Sequence, residues 1–422
     1  MNLRDAQKLV FKEKPVFSQL YKSYQDQTWL DYARENFPND SKFVSTSDHH
    51  GILCHPFFMN NALLRSHPLL KQKQIISLTC GGISLSNSSY PRGIFFHDRN
   101  LQEIRMPFIS RHYRHRPVYG HPGISQETFI REMKKVYNYA LSKNARKKLL
   151  DFMETVLSVD GIWKKQYLSD QFTIINDLLW KIIFRKRGKL VYLEAESFIR
   201  ELLLEKYLSQ KSIAKEIIFD KETRALYLKT FDGVTGAHTG TAKGTHLFWF
   251  IDWKKNSRRQ LWVVDNHLQT DDKTIIIPLE SSAIRDRLQS YELLPSMALC
   301  YSILAFVEGY TLGGGFSQIQ YLTGMKAAFS ALVEPVDTRT DIFTGEYVAI
   351  GLGNDKSSVA ATLIDILLWG GDNPEVAIDK QLETIAVGES LDLMMPELVH
   401  IITGSREKIT DLPLAPKTFY VD

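Results

Sequence analysis

The period of the hydrophobic pattern changes along this chain, and that change limits its fold more than any other feature. Between residues 125 and 215, apolar residues recur three and four apart. The stretches F-I-R-E-M-K-K-V-Y-N-Y-A-L, L-L-D-F-M-E-T-V-L, Q-F-T-I-I-N-D-L-L-W-K-I-I-F and S-F-I-R-E-L-L-L-E-K-Y-L all follow that rule. Such spacing lines one face of a helix. It predicts a block of four or five helices, interrupted by one short strand, K-L-V-Y-L-E at 189 to 194. From residue 224 the period becomes two. R-A-L-Y-L-K-T-F, T-H-L-F-W-F-I-D, Q-L-W-V-V-D and T-I-I-I-P-L read as four strands with short polar links. Short links favour an antiparallel meander, because a parallel pair needs a crossover of about a dozen residues or more.

Flanking segments fill in the rest. Residues 7 to 35 have helical spacing, which stops at F-P-N-D, 37 to 40. Lys42 to Ser45, I-I-S-L-T-C at 75 to 80 and I-F-F at 94 to 96 read as short strands between polar loops. Residues 281 to 422 are mainly helical, with Gly-rich interruptions at 309 to 315 and 345 to 353. The expected fold class is α+β: an antiparallel β-meander packed with helical layers. Three segments are distinguished, a His-rich mixed part (1–124), a helical block (125–215) and a meander with C-terminal helices (216–422). The absence of Pro- or Ser-rich linkers also allows a single large interwoven domain.

Composition bounds the function. Apolar content of 44% and charged content of 24%, with 23 Phe and 18 Tyr, describe a globular chain with a substantial core. A net charge of +4 over 422 residues is mild, so nucleic acid is not the expected partner. A small anionic or polar substrate is. The cysteines at 54, 80 and 300 are odd in number and widely spaced, which fits a reducing compartment. The N-terminus lacks the apolar segment of a signal peptide, and L-P-S-M-A-L-C-Y-S-I-L-A-F-V (294–307) is too short to span a bilayer. No membrane association and a cytoplasmic location are expected.

Chemistry is expected where histidine is concentrated. Eight of the twelve histidines lie between 49 and 121, and S-T-S-D-H-H-G-I-L-C-H (45–55) holds three of them. Histidine titrates near neutrality and is the commonest metal ligand. Asp48, His49, His50 and His55 are therefore the candidate catalytic residues. His49, His50 and His55 are also the candidate ligands of a divalent metal such as Zn, Fe or Mn. Convergence requires a loop, because neighbours on a strand face opposite ways. Gly51 permits one. Cys54 reads as a small buried hydrophobe.

Substrate contacts are expected from Asn87, Tyr90, Arg92 and His97 in the loop S-N-S-S-Y-P-R-G-I-F-F-H. Pro91 biases Tyr90 toward extended backbone, so Arg92 would project from a rigid turn toward a carboxylate or phosphate. Residues 105 to 123 interleave Arg111, Arg114 and Arg116 with His112, His115 and His121 and with tyrosines, a pattern suited to a nucleotide-like ligand or to ion pairs with the helical block. Lys243 in the Gly/Thr-rich stretch 233–246 and Gln318 after G-G-G complete the candidate contacts. Lys356 and Ser357 stand where a helix N-terminus is expected. No H-E-x-x-H, Walker loop, dinucleotide fingerprint or complete G-x-S-x-G occurs. Two readings follow. One is an enzyme, hydrolase or transferase, using histidine on a small polar or anionic substrate, with or without a metal. The other is a non-catalytic ligand-binding or scaffold protein.

Overall fold

A computed structural model describes the chain except residues 39–41, 54, 56–59, 240–243, 344–347, 356, 406, 415–420 and 422, and gives only the backbone of Asn60 and Phe316. Cys54, Lys243 and Lys356 thus lie outside the described residues. The fold is α+β.

The strands expected early in the chain are present: β1 (Phe43–Ser45), β2 (Gln74–Thr79), β3 (Gly93–His97) and, pairing with it, β4 (Glu103–Pro107). β5 (Lys189–Glu194) interrupts the helical block as expected. Later come β6 (Phe248–Asp252), β7 (Ser257–Gln260), β8 (Trp262–Val264), β9 (His267–Gln269), β10 (Ile276–Pro278), β11 (Leu293–Pro295) and β12 (Thr311–Gly313). β8, β9 and β10 form an antiparallel meander, and β6 is flanked by β11 and β7.

The largest sheet among the described residues is a different one. It runs β12-β1-β2-β5, and every pairing in it is parallel. Its strands come from four distant parts of the chain, with helices as crossovers. Side chains alternate across it. Ile75, Leu190 and Tyr192 enter a core shared with the N- and C-terminal helices. Val44, Leu78 and Leu312 enter a second core with the helices around Ile199, Ile217 and Phe306. The helix Leu168–Ile183 shows why the helical pattern was legible: Leu168, Phe172, Ile175, Leu179 and Ile183 all face inward. Each such burial contributes about 1.5–3 kcal/mol.

One strand expectation is overturned. R-A-L-Y-L-K-T-F lies in the helix Lys221–Phe231. Asp220 caps it by accepting the Thr223 N–H at 2.8 Å. Arg224, Tyr227 and Phe231 then share its buried side, a spacing of three and four that outweighs the local alternation. Ser357 is likewise displaced from a helix start. It sits in the turn between short strands Gly351–Gly353 and Ser358–Ala360, and the next helix, Leu363–Trp369, is capped by Thr362.

Candidate functional site

The loop after β1 carries His49 and His50 past the end of β2, where His50 N–H donates to Cys80 O and Cys80 N–H donates to Asp48 O, both at 2.8 Å. His50 is wholly buried. Its Nε2 lies 3.1 Å from Ser169 O, which can only accept, so Nε2 carries the proton. Its Nδ1 lies 2.6 Å from Thr79 Oγ1, and the ring stacks on Tyr192 at 5.3 Å. Burial lowers its pKa to about 4, against the raising bond to Ser169. Both ring nitrogens are therefore engaged by the protein, through Thr79 and Ser169 rather than Asp48. His49 Nδ1 lies 3.1 Å from Ser89 Oγ, and burial likewise lowers its pKa to about 4, opposed by a bond with Asn87. Asp48 is buried.

His49, His50 and His55 do share one cavity, together with Ser89, Pro91 and Tyr192. Its volume is about 10 Å³, room for a single water. Among the described residues, no three His, Cys, Asp or Glu side chains converge as metal ligands.

The 87–98 loop distributes its residues. Asn87 Oδ1 accepts the Ser89 N–H at 3.0 Å and the Ser89 hydroxyl at 2.9 Å, shaping the turn. Tyr90 is not extended. Its φ is +56°, and Arg105 lies 5.0 Å from its ring centroid. The turn bond from Tyr90 N–H to Asn87 O, at 3.0 Å, overrides the bias set by Pro91. His97 goes elsewhere, to Asp365, at 2.8 Å. Gln318 is buried between Thr46, whose hydroxyl donates to its Oε1 at 2.7 Å, and Leu312 O. It thus joins the loop after β1 to β12.

Arg92 leads to a real pocket. Its Nε and Nη2 donate to Ile109 O at 3.2 and 3.0 Å, which fixes the guanidinium plane. The pocket beside it has a volume of about 460 Å³, within the usual range for ligand sites. Arg111, Arg131 and Glu132 supply its other charges, and Phe108, Ile109 and Tyr113 its apolar wall. Thr128 lines it at the start of the helix Gln126–Met133, which Ser125 caps. Glu132 is bound by Lys135 and Arg131. His121 lies in the same wall. Its Nδ1 is 2.7 Å from Pro122 O and must donate to it, so Nε2 is a lone-pair acceptor. That Nε2 is buried and has no partner among the described residues. Burial lowers the His121 pKa to about 4, with Arg116 adding to the effect and the Pro122 bond opposing it.

Sequence reasoning passed over a second cluster. L-T-C-G-G ends β2 and L-E-A-E-S ends β5, and parallel pairing sets them side by side. Gly81 and Gly82 each donate an N–H to Glu196 at 2.8 Å, and the Cys80 thiol donates to it at 3.2 Å. Buried Glu194 lies against Gly81, where a Cβ would overlap its carboxyl. Burial, then the charge of Glu196, raises the Glu194 pKa well above the usual carboxylate range. The available signal was a strand followed by Gly-Gly and another followed by E-x-E.

No family model matches this chain, and no curated protein matches it. Among the described residues no helix is long and apolar enough to cross a membrane.

Proposed function

We propose that this chain is an enzyme acting on a small anionic substrate by histidine-assisted hydrolysis or group transfer, in the pocket lined by Arg92, Arg111, Arg131 and His121. The observation that carries the reading is His121. It is a neutral imidazole with a fixed tautomer in the wall of a pocket with three guanidinium groups; its unpartnered Nε2 is itself buried, so its use on a ligand requires the side chain to shift. Arg92 is held by Ile109 and keeps its Nη1 edge for an anion, so little ordering is needed on binding. An anion bound beside His121 would raise its basicity from the present low value, and a positioned base of this kind contributes about 10²–10⁴-fold in rate. The odd number and wide spacing of the three cysteines fit a cytoplasmic location.

The histidines of the 49–55 loop keep a supporting part in this reading. His49 and Ser89 brace the turn that ends in Arg92, and the small cavity at His49, His50 and His55 leaves space for water rather than substrate. A metal at those residues is not required by it. A second reading, binding without turnover, draws support from the low basicity of His121.

The test is a panel of small phosphorylated and carboxylated compounds screened by thermal shift, followed by product analysis of those that stabilise the protein. Turnover by the native chain and its loss in His121→Asn are expected. Stabilisation without product would favour the binding reading. A panel with no stabilising member, or one that stabilises Arg111→Ala equally, would remove the pocket from consideration.

A further inference from the structure

We propose that a single-stranded nucleic acid binds along the surface formed by the loop 110–116 and the turn 253–256. The proposal goes beyond the catalytic reading and does not depend on turnover in the pocket.

The net charge of +4 is an average that hides a local gathering of cations. No carboxylate occurs between Glu103 and Glu127, a stretch that holds Arg111, Arg114 and Arg116, besides Arg105, which pairs with Glu103. The turn after β6 adds Lys254 and Lys255. The two segments lie 140 residues apart, and Arg116 joins them. Its Nε donates to Asn256 Oδ1 at 2.8 Å and its Nη2 to Trp253 O at 2.9 Å. His112 Nε2 lies 2.9 Å from Asn256 Nδ2 and closes the contact.

Arg111, Arg114, Lys254 and Lys255 are exposed. Among the described residues, neither these four nor Arg116 meets a carboxylate: Arg114 donates to His115, and Arg116 binds neutral acceptors alone. Asp252, at the start of the turn, accepts the Lys254 and Lys255 backbone N–H groups at 3.2 and 2.9 Å. Other exposed cations of the chain are matched locally. Arg34, Lys147 and Lys181 each meet an aspartate on their own helix. Five cations gathered by the fold without carboxylates make a positive field that a polyanion would satisfy.

Aromatic rings select the kind of polyanion. The Arg116 guanidinium lies 4.6 Å from the Tyr113 ring centroid and 5.3 Å from that of Trp253, and both rings are half-buried. Tyr113 also lines the pocket beside Arg92 and Arg111, so part of it is open to a visitor. Cations that follow a phosphate backbone, with rings between them for bases to pack on, make a single-strand site. An acidic peptide would use the charges alone, and a duplex keeps its bases stacked inside.

The experiment follows a fluorescent oligothymidylate of about 12 nucleotides by anisotropy, in salt from about 50 to 200 mM. The logarithm of affinity should fall against the logarithm of salt concentration with a slope of about −3 to −4, for five phosphate contacts at about −0.7 each. The surface variant Lys254→Ala/Lys255→Ala should flatten that slope by about 1.4, and Arg114→Ala by about 0.7. Inorganic polyphosphate, a polyanion without bases, should bind the native chain at least about 5-fold more weakly, the low end of what one stacked base contributes. Polyphosphate, polyglutamate or a thymidylate–adenylate duplex binding as tightly as the single strand would overturn the assignment to single-stranded nucleic acid. No binding at micromolar concentration in about 50 mM salt, or a slope unchanged in both variants, would overturn the surface itself. Each of these failures leaves the pocket reading standing, because that reading is tested by small compounds and Arg111→Ala.

Discussion

The Nδ1 atom of His97 lies 2.8 Å from Oδ2 of Asp365, and the other oxygen of the same carboxylate accepts the His97 backbone N–H at 2.6 Å. Asp365 is fully buried and also closes the capping box of the helix Leu363–Trp369 with Thr362. The end of β3 is thereby fastened to a helix 268 residues further along. Burial opposes the charge on His97, but Asp365, through its charge and its hydrogen bond, together with Glu103 and Asp98, raises the pKa above its ordinary value.

That shift predicts a pH dependence. A histidine whose folded pKa is raised stabilises the fold fully below its unfolded value of about 6.5 and loses that contribution as pH rises through the folded value. Thermal unfolding should therefore show a midpoint that declines from pH 6 upward. His97→Gln should remove that part of the slope. A variant with an unchanged slope would show that His97 does not carry the effect.

Removing the carboxylate is expected to be more damaging. Asp365→Ala leaves His97 without its partner and strips the helix cap. Breaking a buried pair costs about 3–5 kcal/mol. Denaturant titration of Asp365→Ala and Asp365→Asn would check this, with Asn retaining the cap in part.

Glu194 gives the opposite sign. Its raised folded pKa means that stability falls as pH rises above the unfolded value of about 4.3, because the folded state retains a proton that the unfolded state has lost. Glu194→Gln should be more stable than the native chain at pH 7, and the gain should shrink toward pH 4. A destabilised variant at pH 7 would mean that the ionised form is held by the fold.

Glu196 is expected to behave as a brace. Glu196→Ala strands the Gly81 and Gly82 N–H groups, at about 1–3 kcal/mol for each buried donor. Glu196→Gln keeps an acceptor oxygen for one of them and should lose less. Urea midpoints of the two variants provide the comparison.

His50 separates structure from chemistry within the histidine loop. With Thr79 and Ser169 on its two nitrogens, His50→Phe should cost about 1–3 kcal/mol through unpaired groups. Ligand binding in the Arg92–His121 pocket should persist. Loss of binding with unchanged stability would return His50 to the chemistry.

Much of the architecture was legible from local pattern. Helical spacing over 171–184 and the short runs at 42–45, 75–80 and 189–194 became the elements that they suggested, because each buries one face wherever it packs. Arg92 could be picked out as a guanidinium on a firm turn. His121 appeared only as one member of a basic and aromatic stretch. What marks it out is a Pro122 carbonyl on one nitrogen and the burial of the other without a partner, and neither has a signature in residue order.

The sequence by itself determined much of which segments are helices and strands, the helix over 224–231 excepted, and that histidine and arginine gather early in the chain. Those are consequences of side-chain periodicity and residue type, which act over a few neighbours. Only the tertiary structure decided that β1, β2, β5 and β12 lie parallel, that Glu194 and Glu196 meet Gly81 and Gly82, and that His97 reaches Asp365. Such partnerships join residues up to hundreds of positions apart. They are set by how whole faces pack, which no local pattern encodes.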